Sequence, residues 1–370
     1  MTTRAVHACF SAWIVALTVV YYAVPATNLY TWALIGYSSA AAMLVGTRRH
    51  QPARRLPWYL MSAALASFTT GDTVYNVIVA LGREPTFPGV ADLFYLLVYP
   101  LLTGGFLLLM RARTGGGSDR AALLDALVPT MGLGLLSWVY WIAPFTRLHD
   151  LSLLGKLVSI GYPLGDVLAL SMLLRMLTVP GKRPRALKMI SLAMLGLLVS
   201  DIFYGQSQLN SAWSLGGPID FGWVIFYANM GRTALHASMR DLSEPATEHA
   251  SDHNPHRIIW MASAALIAPV VLYLEWITGQ GAGQAWDGLV NAPIIACAAA
   301  LTFLVVIARV NGLTTDQRQA RTRELALRRA GASLFAAADE RGAVRAVREA
   351  VATLMPAGER YRLILGERAA

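Results

Sequence analysis

The stretch GDTVYNVIVALGREPTFPGVADLFYLLVYP (residues 71–100) closes one apolar run, turns within GREPTFPG (82–89), and opens a second apolar run behind a proline. The stretch SDIFYGQSQLNSAWSLGGPIDFGWVIFYAN (200–229) does the same again. Asp72 and Tyr75 recur as Asp201 and Tyr204, 129 positions on. Asp92, Tyr95 and Tyr99 recur as Asp220, Trp223 and Tyr227, 128 positions on. Matches at a nearly constant offset signal an internal repeat. Basic turns ending at Arg55 and Lys188 precede the two copies, so both cross in the same direction and the repeat is parallel. The expected unit is four helices, covering 28–143 and 153–277.

Composition places these hairpins in a membrane. Of 370 residues, 55% are hydrophobic and 14% charged, against about 25% charged in ordinary soluble domains. The last sixty residues, 311–370, hold 11 of the 31 Lys/Arg and 7 of the 22 Asp/Glu, so the rest of the chain is poorer still. Apolar runs long enough to cross a bilayer, about 20 residues, lie at 7–25, 28–46, 57–81, 90–110, 121–143, 153–177, 186–208, 217–237, 257–277 and 286–309. The first run lacks a small-residue cleavage site, so it is not a signal peptide. The expected fold is an all-α polytopic bundle of ten spans, followed by a cytoplasmic helix and an incomplete α/β domain. A soluble enzyme, a secreted protein and a disulfide scaffold are excluded as the main class. Cys9 and Cys297 sit in apolar runs and are expected to be buried as small hydrophobes.

Orientation follows from the basic residues. With a cytoplasmic N-terminus, 17 of the 20 Lys/Arg before position 311 fall on cytoplasmic segments, and only Arg83, Arg147 and Lys156 fall outside. Both termini are then cytoplasmic, in a plasma membrane. The net charge of +9 belongs to topology and lipid headgroups rather than to nucleic acid. The outer loops 82–89, 144–150 and 278–284 leave no room for an extracellular domain.

Carboxylates inside a span are costly and tend to face a bundle interior or wet cavity. Asp72 shares a helix face with Tyr75 and Asn76, and Asp201 with Tyr204 and Gln208. These two stripes are expected to line an outward-facing cavity for a small polar or cationic ligand. The competing expectation is that each acid pairs with neighbours and fixes helix packing. Asp92 and Asp220 each follow a proline, the pattern of a helix start, where an acid suits the helix dipole. Capping does not exclude a place at the cavity mouth beside Tyr95, Tyr99, Trp223 and Tyr227. Asp166, after Pro163 in SIGYPLGD, is expected to make a polar contact inside the bundle.

No catalytic pattern is present: there is no phosphate loop, nucleophile elbow or HExxH. His249, His253 and His256 in EHASDHNPHR (248–257) read as a solvated loop rather than a metal site. No cofactor is implied. After Arg309, Leu313, Ala320, Leu327 and Leu334 recur at sevens among Arg and Glu. That pattern predicts a helix over 311–337 that pairs with a second copy of the chain, the competing expectation being an ordinary amphipathic helix lying on the membrane. DERGAVRAVREAVATLM (339–355) predicts a second helix and YRLILGE (361–367) a strand. Helix, helix and strand in about 40 residues cannot close a core, so an output module is expected to lie beyond residue 370.

LPWYLMSAALASFTTGDTVYN (56–76), PGVADLFYLLVYPLL (88–102), LLDALVPTMGLGLLSWVYWIAP (123–144), LSLLGKLVSIGYPLGDVLALSMLLRML (151–177) and LLVSDIFYG (197–205) resemble the N-terminal membrane region of large actinobacterial signalling proteins. RRAGASLFAAADERGAVRAVREAVATLMP (328–356) resembles the opening of a GAF domain. In such proteins similar spans precede GGDEF and EAL domains, which make and degrade cyclic di-GMP, or histidine-kinase outputs. The resemblance implies a sensory region and transfers no active residue, because no GGDEF, EAL or kinase motif is present. A transporter built on a repeated bundle, with proline-bearing helices at Pro100, Pro163 and Pro293, is the alternative from another class.

Overall fold

The computed structural model describes residues 3–114, 120–143, 152–178, 183–209, 216–245 and 285–336, with isolated positions 266, 270, 273, 342, 344, 345, 347 and 348. Nine helices account for most of these. They are α1 (Thr3–Ala23), α2 (Asn28–His50), α3 (Leu56–Ala80), α4 (Val90–Arg113), α5 (Arg120–Ser137), α6 (Leu153–Thr178), α7 (Arg185–Leu209), α8 (Asp220–Leu235) and α9 (Ala285–Phe335). A five-residue π turn, Trp138–Ile142, prolongs α5, and a 3₁₀ segment, Ala237–Ser243, follows α8. No strand occurs among the described residues. The chain divides into two compact units, Met1–Val306 and Ile307–Ala370.

Six helices among the described residues are long and apolar enough to cross a membrane: Ala5–Ala23, Pro25–His50, Val90–Arg113, Leu123–Tyr140, Leu153–Leu177 and Arg185–Gly205. The sequence predicts ten spans, and the difference has physical causes. Helix α3 has the length, at 25 residues, but carries the polar run Ser67 to Asn76. Helix α8 has only 16 residues. The last apolar segment, Pro293–Arg309, is likewise short. The ninth expected span, 257–277, lies outside the described residues except at Leu266, Val270 and Tyr273, and so do the loops 144–150 and 278–284. The histidine loop, the helix expected over 339–355 apart from a few positions, and YRLILGE also lie outside them.

Within the first unit α2 is central. It packs against α1, α3 and α8, while α3 pairs with α4, α7 with α8, and α6 bridges α4 and α5. Small residues allow close approach. A Cβ on Gly46 of α2 would land on the Ala234 carbonyl of α8, and one on Gly105 of α4 would meet the Pro57 carbonyl of α3 at 3.1 Å. Trp58, Met61, Leu65, Leu102, Phe106 and Phe226 are fully buried between these helices. At the basic end, a ring nitrogen of His50 meets the Leu235 carbonyl at 3.0 Å and Trp58 Nε1 donates to Ser243 Oγ at 3.1 Å. Arg240 donates to the His50 carbonyl. These contacts fasten the segment after α8 to α2 and α3.

The outer helix faces are apolar. Val15, Val19, Tyr30, Leu153, Leu154 and Phe203 are each more than half exposed, a surface suited to lipid rather than water. Cys9 and Cys297 are exposed, not buried as their apolar neighbours predict. A thiol on an apolar outer face needs no protein contact, because the surrounding acyl chains solvate it.

In the second unit the backbone is helical from Ile307 to Phe335. Leu327 and Leu334 are exposed, and Arg328 pairs with Glu324 at 2.6 Å across one turn. Leu313 and Ala320 lie on helical backbone, and their side chains fall outside the described ones.

Candidate functional site

A cavity of about 840 Å³ opens at the end of the bundle where the loop 81–89 crosses it. Asp72, Tyr75, Asn76, Asp92, Tyr95, Tyr99, Asp201, Tyr204, Asp220 and Trp223 all line it. Tyr227 is not on the wall. It stands behind it, fully buried, with its hydroxyl 3.0 Å from Asp72. Residues read from two stretches far apart in sequence therefore meet in one space. The side chain of Gln208 falls outside the described ones.

Asp72 is the centre of a donor cluster. Trp32 Nε1 donates to its Oδ2 at 2.7 Å, Tyr227 Oη to the same oxygen at 3.0 Å, and Tyr95 Oη to Oδ1 at 3.0 Å. Helix packing fixes these donors. Gly71 lets the Tyr95 ring lie against α3, where a Cβ would meet that ring at 2.7 Å. Trp32 stacks near Tyr21 with ring centroids 5.0 Å apart and meets Tyr227 edge-on at 6.2 Å.

Asp201 receives Trp223 Nε1 at 2.8 Å. Its carboxyl lies near that of Asp166, which in turn stands close to the Tyr99 side chain. Gly165 makes room for the Tyr99 ring, which a Cβ there would strike. Asp166, read from the sequence as a polar residue inside the bundle, lines the cavity.

Asp92 and Asp220 combine capping with cavity placement. Asp92 Oδ2 accepts from the Gly89 amide at 2.7 Å and Oδ1 from Tyr162 Oη at 2.5 Å. Asp220 Oδ2 accepts from the Gly216 amide at 2.8 Å and from Tyr21 Oη at 2.6 Å. Each acid therefore closes the turn before its helix and ties that turn to a distant tyrosine.

Trp32, Tyr21, Tyr162 and Asp166 are absent from the set picked by sequence, yet all line the cavity. Tyr162 and Asp166 stand four residues apart on α6, on either side of Pro163. That spacing is a signal the sequence does carry. Trp32 and Tyr21 carry none, because a lone aromatic residue in an apolar helix reads as core or as interfacial belt.

The donor cluster makes a stability prediction. Asp72→Ala leaves three buried donors without an acceptor, which costs on the order of 2–4 kcal/mol after water enters the cavity. Asp72→Asn keeps an acceptor oxygen and is expected to cost about 1 kcal/mol. Thermal unfolding of the purified protein in detergent measures both, and equal losses contradict the donor-cluster account.

No known family model, curated protein or solved structure matches this chain.

Proposed function

We propose that this chain is the membrane-embedded sensory and signal-transmitting region of a multidomain bacterial protein. Its input site is the cavity between α3, α4, α6, α7 and α8. Its output passes along the helix over 311–337 to a cytoplasmic diguanylate cyclase, phosphodiesterase or kinase. The observation that carries the reading is the gathering of separate acidic and aromatic stripes around one cavity inside an apolar bundle. Clefts of several hundred Å³ with a few convergent polar groups are typical of ligand sites.

The finer parts of the reading are ten spans, both termini in the cytoplasm and a parallel four-helix repeat. Equivalent contacts at repeat-related positions support the last of these. Tyr95 donates to Asp72 as Trp223 donates to Asp201. Ser67 Oγ donates to the Phe94 carbonyl at 2.7 Å, and at the matching positions Gly196 sits against the Gly222 carbonyl. In this reading the chain works as a homodimer, with the exposed Leu327 and Leu334 on the seam between two copies. A ligand shifts such a device only through unequal affinity for its two states.

The test uses the full-length gene product and its output activity. Asp72→Asn and Asp201→Asn are expected to change output severalfold while membrane insertion is retained. If both variants insert and signal as the wild type does, the acids are packing elements and the cavity is not the input. A repeat-built transporter is the second reading, favoured by prolines inside the cavity helices at Pro100 and Pro163. It predicts uptake by the isolated chain in vesicles.

A further inference from the structure

Five carboxyl groups face the cavity, from Asp72, Asp92, Asp166, Asp201 and Asp220, and no Lys, Arg or His lines it among the described residues. Their protein partners are neutral donors: indole and phenol groups and backbone amides. The described wall supplies no positive charge. Asp220 Oδ1 has no hydrogen-bond partner among the described residues, although the residue is only 1% exposed. A buried carboxylate oxygen left in that state is costly, and a ligand that supplies positive charge or a donor removes the cost.

The rest of the wall narrows the kind of cation. No group of three or more acidic, His or Cys side chains among the described residues is close enough to hold a metal ion. Asp166 and Asp201 are neighbours, but the five carboxyls do not converge on one point. Between them stand aromatic rings, with Trp223 edge-on to Trp32 at 6.4 Å and 5.6 Å from Tyr204. Aromatic faces combined with dispersed negative charge recognise an ammonium group carried on a carbon skeleton. The volume, about 840 Å³, suits a small organic molecule rather than a bare ion.

We propose that the cavity binds a small organic cation, an alkylammonium or quaternary ammonium compound, whose charge is met by the Asp72, Asp201 and Asp220 carboxyls and whose alkyl groups lie against Trp32, Trp223 and Tyr204. This inference rests on the cavity being the ligand site of the sensory reading.

The test titrates the full chain, purified in lipid nanodiscs, with choline and with 3,3-dimethylbutan-1-ol. The two molecules have the same shape and differ in one charge. Butylammonium and spermidine extend the series. Intrinsic tryptophan fluorescence and isothermal calorimetry report binding. At least one of the three cations is expected to bind saturably. The shape-matched pair is expected to differ by at least about tenfold in affinity, in favour of choline. Asp220→Asn is expected to weaken cation binding severalfold, and Asp201→Asn serves if Asp220→Asn does not fold. Equal binding of the neutral alcohol, or no saturable binding of any cation, overturns the proposal. The two readings fail separately. Cation binding with silent Asn variants in the output assay keeps the site and removes the sensory role. Altered output without cation binding does the reverse.

Discussion

Gly46→Val is expected to leave no monodisperse, folded protein after extraction, and Gly46→Ala is expected to destabilise the bundle by about 1–3 kcal/mol. The cause is backbone against backbone. Gly46 on α2 faces the Ala234 carbonyl on α8, and a Cβ there overlaps that carbonyl. A side chain in the way can rotate, but a helix carbonyl cannot, so the two helices must separate. Separation disturbs more than one interface, because α2 also packs on α1 and α3. Close helix approach through small residues is the main source of cohesion where lipid is as apolar as the core. It also opposes propensity, since alanine is a better helix former than glycine by about 1 kcal/mol. Gly104→Ala is the matched control. Its Cβ meets only Leu60 Cδ1, at 3.6 Å, so propensity should dominate and stability should hold or rise. Fluorescence-detected size exclusion and thermal unfolding in detergent measure the pair. Similar behaviour of Gly46→Ala and Gly104→Ala contradicts the packing account.

Much of the architecture is legible in the sequence, for reasons particular residues make plain. Apolar runs between basic turns place α2 at 28 and α4 at 90, the starts found in the structure. Asp72 and Asp201 stand out because a carboxylate in an apolar run needs a special environment, and both open onto the cavity. Asp92 is legible as a cap from PGVAD, and it does bond the Gly89 amide. The partners of these acids are less legible. Trp32 lies 40 residues from Asp72, and Tyr21 lies 199 from Asp220. No local pattern encodes such pairings, which arise only when α1 and α2 pack beside α8. Span counting from runs of apolar residues has a similar limit. It credits α3 as a membrane span through a segment where Thr69, Asp72 and Asn76 replace aliphatic residues. Those residues point inward, with Thr69 buried and Asp72 and Asn76 on the cavity wall, so polarity there follows from tertiary placement.

Leu313, Ala320, Leu327 and Leu334 share one face of an unbroken helix, and the backbone is helical across all four. Those 21 residues span about 32 Å at 1.5 Å per residue, long enough for a rotation or shift to travel along the helix. If the segment transmits by rotation, its angular phase matters more than its length. Four residues inserted after Asp316 turn everything downstream by about 40°, the mismatch between four residues and a 3.6-residue turn. They also break the seven-residue spacing on which pairing with a second copy depends. Seven inserted residues lengthen the helix more and nearly restore both phase and spacing. The most direct measurement of the sensory account is therefore the output activity of the full-length gene product carrying each insertion. The account predicts that the four-residue insertion locks or abolishes output and that the seven-residue insertion largely preserves it. Equal activity from the two insertions would mean that the helix is a passive linker and would contradict the claim that this chain transmits a signal.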